Sequence, residues 1–199
     1  TVFKTKPQLA VEMLNAIRQE GHLPFKYVLA DSVYGVSPEF IEAVEAICGT
    51  TYFVSVPKST QCWLKRPMII NKEYRWGGKT RTKTLMADTE SKPLTLKELA
   101  LNINDYFWYR REVSEGTKGP IVYEFTRRRI ILSDGGLPHK TVWLLIRRTL
   151  DEKPRYSYFI SNASGSTRLK TLVWLSGMRW AVEQCFEEAK TELGMDHYE

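Results

Sequence analysis

Hydrophobic positions near the start of the chain recur at helical spacing and predict a first helix. The apolar residues in this pattern are Leu9, Met13, Ala16 and Ile17. Thr5 and Gln8, three residues apart, are typical of a capping box. Gly21 is a suitable end for this helix because glycine readily adopts the left-handed conformation that ends many helices.

The next pattern is a short apolar run, Tyr27 to Ala30, which predicts a buried strand with Asp31 at its carboxyl end. Ser37 and Pro38 are typical of an N-cap and first helical residue, so a second helix is expected there. A further apolar run at 52–56 predicts another strand. Helix, strand, helix and strand in this order indicate an α/β layer.

Residues 58–165 differ from the first segment because they predict mainly strands. Turn signals lie between these strands at 134–136 and 151–154. The strand candidates in this region are 107–109, 121–126, 129–133, 142–148 and 156–161. Helical spacing returns at Leu169 and continues to Leu193, with a potential break at Gly177. The pattern therefore predicts an α/β frame in two parts, 1–57 and 166–199, separated by a β-rich insertion at 58–165.

Composition narrows the class of protein. No run of about 18 apolar residues exists, so a transmembrane helix is not expected. The three cysteines, Cys48, Cys62 and Cys185, are widely spaced and form no C-x-x-C pair. They predict neither a disulfide framework nor a zinc site, and a reducing cytoplasm is the simpler compartment.

The net charge of +6 is unevenly distributed. Residues 58–83 hold eight lysines and arginines against the single acid Glu73, with Trp63, Tyr74 and Trp76 among them. Cations interleaved with aromatic rings suit a phosphate backbone and exposed bases. A solvated basic loop is an equally good interpretation of this segment. The candidate DNA-binding residues here are Lys65, Arg66, Arg75, Trp76, Lys79, Arg81 and Lys83.

The candidate chemistry lies near the end of the chain. On a helix, Arg179, Glu183 and Lys190 fall within about 40° of one another, beside an apolar stripe that ends at Leu193. Simple ion pairs on an exposed helix would give the same spacing. If Glu183 meets Asp31 in the fold, however, two carboxylates would suit Mg²⁺ or Mn²⁺.

The pattern Arg179-x3-Glu183-x6-Lys190 resembles the end of the Tyr-x2-Arg-x3-Glu-x6-Lys signature of DDE-type insertion-sequence transposases. The segment 30–35, Ala-Asp-Ser-Val-Tyr-Gly, resembles the motif that holds the second Asp of that family. The segments 158–163 and 192–198 are also similar. These motifs are similar to those of the family in their order and separation. Together they extend over nearly the whole chain.

This resemblance implies an RNase H-like catalytic domain, a mixed sheet flanked by helices and interrupted by a basic β-rich insertion. Asp31 and Glu183 would be catalytic and would bind Mg²⁺ or Mn²⁺ in a two-metal site. Arg179 and Lys190 would contact the DNA backbone. Ser176 stands where the signature has Tyr, and the first Asp of the family is expected before Thr1, so the chain is expected to be a fragment.

The function expected from the resemblance is cut-and-paste DNA transposition by a bacterial, nucleoid-associated enzyme. Its partners would be double-stranded DNA at transposon ends and target, and further copies of itself in a synaptic complex. One alternative is an inactive remnant that only binds DNA or a partner chain. Another is a two-carboxylate glycosidase, which the basic segment suits poorly. The end sequence and the oligomeric state stay open.

Overall fold

The computed structural model describes residues 3–47, 49–87, 92–116 and 119–194, without the side chains at 114–116, 179–184 and 186–188. The helices are α1 (Lys6–Glu20), α2 (Ser32–Gly35), α3 (Pro38–Ala46), α4 (Leu96–Leu101) and α5 (Leu169–Leu193), with a 3₁₀ turn at Asp105–Phe107. The strands are β1 (Tyr27–Ala30), β2 (Thr51–Ser55), β3 (Gln61–Trp63), β4 (Ile69–Trp76), β5 (Lys79–Met86), β6 (Leu94–Thr95), β7 (Tyr109–Gly116), β8 (Gly119–Asp134), β9 (Leu137–Arg148) and β10 (Tyr156–Ser161).

Among the described residues, one eight-stranded sheet draws on both early and late parts of the chain. Its order is β1-β2-β10-β9-β8-β3-β6, and β7 also pairs with β8. β1 and β2 are parallel, whereas the pairs β2–β10, β10–β9 and β9–β8 are antiparallel. β4 and β5 form a separate two-stranded ribbon. The late strand β10 is thus bonded directly to β2.

Helices cover both faces of the sheet. On one face α1 and α3 pack over a core that includes Tyr52, Val54 and Ile160. On the other face α5 packs over a core that includes Phe53 and Phe159, whose rings stack 5.0 Å apart. Successive residues of β2 therefore alternate between the two cores, as the pleat requires. The sheet is mixed and does not close into a barrel, which agrees with the expected RNase H-like fold.

Local sequence signals correctly locate several elements. Thr5 accepts the Gln8 N–H while the Gln8 side chain accepts the Thr5 N–H, so the capping box at α1 is confirmed. Ser37 caps α3 and Pro38 is its first residue. β1 and β10 have the predicted bounds. Each of these signals acts through neighbouring backbone atoms, so it needs no tertiary context.

The apolar residues that predict α1 are not all ones that pack on the core. Met13 is 65% exposed and Leu9 is 46% exposed, whereas Ala10, Val11 and Leu14 pack on the core. Both sets have helical spacing, and the periodicity of one helix cannot choose between neighbouring stripes when each is apolar. Packing of α1 on α3 decides the choice.

Other differences lie in the 58–165 region. The strand predicted at 107–109 begins only at Tyr109, because Phe107 ends a 3₁₀ turn held by the Asn104 side chain, which accepts the Tyr106 N–H at 2.9 Å. The strands predicted at 121–126 and 129–133 are one continuous strand, β8. α4 and the β4–β5 ribbon were not predicted. Gly177 does not break α5.

Candidate active site and nucleic-acid interface

Asp31 lies where β1 ends, in the position that the sequence predicts. Its Oδ1 accepts the Val33 N–H at 2.8 Å and so caps the short helix α2. The side chain is partly exposed. Asp31 therefore has the ordinary role of a helix N-cap. The same hydrogen bond also fixes the orientation of its carboxylate, and Oδ2 does not take part in that bond.

The turn after Asp31 requires a glycine. A Cβ added to Gly35 would stand 2.0 Å from the carbonyl oxygen of Ser55, far inside any allowed contact. The end of α2 thus rests directly on the backbone at the end of β2. This close approach fixes Asp31 at the carboxyl edge of the parallel pair, where ligands gather in open α/β sheets.

α5 is anchored on the strand that Asp31 follows. The Trp174 ring meets the Tyr27 ring edge-on, with centroids 5.7 Å apart. Leu172 and Leu175 are buried in the same cluster as Leu29. Helix and strand are therefore in direct contact through their apolar side chains.

Glu183 and Arg179 lie on α5, but their side chains are outside the described residues. Lys190 is exposed in the last turn of the helix. Leu193, at the end of the predicted apolar stripe, is 75% exposed. The last turn of α5 thus does not bury that end of the stripe.

Ser176 is turned into the helix and the core. It is 2% exposed, and its hydroxyl donates to the Val173 carbonyl at 2.7 Å. Beside it, a Cβ on Gly177 would stand 2.7 Å from the Val113 side chain of β7. The position where the family signature has Tyr is therefore buried with its hydroxyl bonded within α5, and its neighbour Gly177 packs against β7.

The predicted DNA-binding residues of the basic segment divide into two groups. Arg75, Trp76, Lys79, Arg81 and Lys83 all lie on the β4–β5 ribbon, where each is exposed. Lys65 and Arg66 precede the ribbon and are also exposed, but Arg66 donates to the His139 carbonyl at 2.6 Å. Arg66 thus ties the start of the ribbon to the sheet.

The two tryptophans of the basic segment differ in exposure. Trp76 is 69% exposed at the tip of the ribbon, whereas Trp63 is 4% exposed in β3. Trp63 pairs with Ile131 across the sheet. The Trp63 ring is therefore part of the core, and of these two tryptophans Trp76 is the one that is exposed to a ligand.

Sequence reasoning missed a group of arginines on β8 and β9 that stack on aromatic rings. Arg127 and Arg129 lie over Trp143, with guanidinium carbons 4.6 and 5.2 Å from the ring centre. Arg147 lies 4.6 Å from the Tyr123 ring and Arg148 lies 4.2 Å from the Trp108 ring. In the sequence, the signal for these contacts is that arginines and aromatic residues occur together on strands that pair.

A cleft of about 280 Å³ lies on the α1 and α3 face, between the start of α3 and the β8–β9 turn. It is lined by Ser37, Ile41, Tyr52, Ser133 and Lys140 among others, and Asp31 is not part of it. Burial, with the charge of Glu45 adding to it, raises the pKa of the Tyr52 phenol well above its ordinary value. The phenol therefore stays protonated. The cleft also includes Gly35 at the end of α2, but Asp31 itself does not line it.

Within the described part of the chain, no group of three or more His, Cys, Asp or Glu residues stands ready to hold a metal ion. The carboxylate of Asp31 is the described candidate ligand at the sheet edge.

A family model described as DDE superfamily endonuclease matches residues 1–120, more than half of the chain. The chain belongs to the DDE endonuclease superfamily. This membership indicates a nuclease or transposase type of enzyme, and it implies DNA as the substrate. The match includes Asp31 and the ribbon of this DDE-superfamily chain.

The search of curated proteins found no match to this DDE-superfamily chain. Its described helices include none that is both long enough and apolar enough to cross a membrane.

Proposed function

We propose that the chain is the catalytic part of a cut-and-paste DNA transposase of the insertion-sequence type. The observation that carries this proposal is Asp31, held at the carboxyl edge of β1 in a chain that belongs to the DDE endonuclease superfamily. Asp31 and Glu183 would be its metal-binding carboxylates, with Arg179 and Lys190 on the DNA backbone.

The lengths of β1 and α5 are compatible with a meeting of the two carboxylates. Trp174 contacts Tyr27. From that contact, Asp31 is four residues further along an extended strand, about 13 Å. Glu183 is nine residues further along a helix, also about 13 Å. If α5 runs in the same direction as β1 beyond this contact, Glu183 lies level with Asp31.

Mg²⁺ or Mn²⁺ fits the donor chemistry of this edge, because hard cations prefer carboxylate oxygens. Asp31 is oriented by the Val33 N–H, and its Oδ2 lies outside that hydrogen bond. Asp31 and Glu183 would hold the ions. When bound, a pair of such ions activates the attacking oxygen and stabilises the leaving oxygen in phosphoryl transfer.

In this reaction the chain itself binds and aligns DNA. Water attacks a phosphodiester at the transposon end, which leaves a free 3′ hydroxyl and a 5′ phosphate. That hydroxyl then attacks a phosphorus atom in target DNA and displaces the 3′ oxygen of the cut target strand. Neither step forms a covalent bond to the enzyme, so positioning and charge stabilisation carry the catalysis.

The test is Mn²⁺-dependent nicking of a supercoiled plasmid that carries the gene with its flanking DNA. The protein is expressed from its genomic reading frame, so that any residues before Thr1 are included. Asp31→Asn and Glu183→Gln are each expected to lower nicking by at least about 10²-fold, since each removes charge that holds the ions. Both should retain DNA binding, and Asp151→Asn, in an exposed turn, should behave as the unmodified protein.

Retention of nicking by either carboxylate variant would remove that residue from the site. A protein that binds the plasmid but never nicks it, with any divalent metal, would instead support the alternative of a remnant that acts only by binding.

A further inference from the structure

The β4–β5 ribbon is a regular antiparallel hairpin that projects from the sheet. Its strands pair without a shift in register from Ile69 opposite Met86 to Trp76 opposite Lys79. Gly77 and Gly78 form the turn, with φ of 58° and 77°. Two consecutive positive φ values are typical of the tight turns that favour glycine at both positions. All residues of β4 and the first five of β5 are exposed.

The regular register assigns each side chain to one of two faces, because residues directly opposite share a face and neighbours alternate. The first face, called here the cationic face, consists of Ile70, Lys72, Tyr74, Trp76, Lys79, Arg81, Lys83 and Leu85. The second face, called here the neutral face, consists of Ile69, Asn71, Glu73, Arg75, Thr80, Thr82, Thr84 and Met86.

Charge is divided unequally between these faces. The cationic face carries four of the five lysines and arginines of the ribbon, both of its aromatic residues and no acid. On the neutral face Arg75 is offset by Glu73, two residues away on the same strand. Basic residues that only contact water would not have to lie on one face of the ribbon.

The cationic face is unfavourable for the ribbon by itself. Lys72 and Lys83 stand directly opposite each other, and like charges in that relation destabilise a strand pair. The neutral face, in contrast, contains a hydrogen bond between its own side chains, because the Thr84 hydroxyl donates to the Asn71 side chain at 2.9 Å. An isolated two-stranded hairpin is already marginal in water. A bound polyanion would offset the repulsion.

We infer that the cationic face of the ribbon docks into a groove of duplex DNA while the neutral face points away from it. This inference rests on the proposed function for the identity of the nucleic acid. A two-stranded ribbon fits the major groove, which is about 12 Å wide. Lys72, Tyr74, Lys83 and Leu85 line a shallow depression on the same face, so this side presents a recess with cations at its rim.

The chain supplies a matched pair of variants for this inference. Arg81 and Arg75 are both arginines on the ribbon, separated by one ladder position and located on opposite faces. Arg81→Ala and Arg75→Ala remove the same charge and the same side chain. They change the net charge of the protein identically, so any difference between them reports on the face.

Binding is measured by fluorescence anisotropy with a labelled duplex between about 50 and 200 mM salt, the range over which counterion release is large. Arg81→Ala is expected to weaken binding at least about fivefold and to reduce the slope of log K against log salt by roughly 1. Composition alone predicts that Arg75 contacts DNA, but the inference places it on the face that points away from DNA. Arg75→Ala should therefore change affinity by less than about twofold. Lys72→Ala with Lys83→Ala should reproduce the effect of Arg81→Ala, and circular dichroism checks that each variant is folded.

Equal losses for Arg75→Ala and Arg81→Ala would overturn the inference, since total charge rather than one face would then control binding. No loss for either variant would overturn it as well. Stronger competition by single-stranded DNA than by duplex would show that the face binds exposed strands instead of a groove.

The inference and the proposed function fail in different ways. If Arg81→Ala alone weakens binding but no protein nicks DNA, the docking face stands and the transposase chemistry does not. If Asp31→Asn abolishes nicking while Arg81→Ala binds and nicks normally, the chemistry stands and the docking face is wrong.

Discussion

At the scale of single residues, Gly35 shows how local backbone contact positions the candidate site. It ends the helix that Asp31 caps, and it has no room for a Cβ against the Ser55 carbonyl. The sequence resemblance pointed to the segment around Asp31, but a glycine required by a contact 20 residues away leaves no local signal. Only the packing of α2 on β2 explains this residue.

Gly35→Ala is therefore expected to destabilise the protein by about 1–3 kcal/mol or more, because the backbone of Ser55 must move. For a chain of this size each kcal/mol lowers Tm by roughly 2–4 °C. Gly165→Ala is the control, since a Cβ there meets nothing within 4 Å. Thermal unfolding followed by circular dichroism compares them. Equal Tm values for the two variants would show that α2 moves away from β2 without cost.

Glu124 provides a prediction about pH. Burial acts to raise its pKa, but hydrogen bonds from Arg148 at 2.8 Å and Arg110 at 3.2 Å outweigh burial and hold the pKa below its ordinary value. Its folded pKa is thus lower than the unfolded value of about 4.3. The ionised carboxylate stabilises the fold above that value, and the stabilisation is lost as pH falls through the folded pKa.

Glu124→Gln should therefore lower the free energy of unfolding by about 1–3 kcal/mol at pH 7. The difference from the unmodified protein should shrink as pH falls below about 4. Urea unfolding at pH 7, 5, 4 and 3 measures it, with Glu152→Gln in an exposed turn as control. A difference that stays constant with pH would assign the effect of Glu124 to packing instead of charge.

At the scale of elements, the sequence predicts best those structures whose signals are local. One capping box, short apolar runs and one N-cap serine locate α1, β1, α3 and β10 because backbone neighbours satisfy them. The charge count likewise located the basic segment 58–83. It could not reveal that most of this segment is a ribbon, since Gly77–Gly78 was not recognised as the turn between β4 and β5.

Contacts distant in the sequence explain other features that the sequence did not predict. Trp63 lies in a segment whose composition is typical of a nucleic-acid contact. Its ring is nevertheless buried, because β3 pairs with β8, more than 60 residues later. The inner face of α1 is set by α3. The meeting of Asp31 with Glu183 depends on the path of α5 after its contact with β1, so for these carboxylates the sequence supplies a hypothesis that nicking assays must test.

At the scale of the whole molecule, the sheet connects parts of the chain that the sequence pattern separated. β2 belongs to the predicted first segment, 1–57, and β10 to the predicted insertion, 58–165, yet their backbones are bonded through Ser55–Phe159 and its neighbours. β3 precedes the ribbon in the chain and β8 follows it, and these two strands are also bonded to each other. These pairings favour one cooperative unit over two halves that fold apart, while the ribbon lies outside the sheet.

A specific protease site inserted between Gly77 and Gly78 tests this connectivity. Exposed turn tips tolerate insertion, and the ribbon beside it is exposed. After cleavage, the fragments should separate on a denaturing gel but elute together at the position of the uncut protein under native conditions. The reason is that pairing of β2 with β10 and of β3 with β8 crosses the cut and buries the shared core. Separation under native conditions would mean that 1–77 and 78–199 fold independently, and the one-sheet account of the molecule would then be wrong.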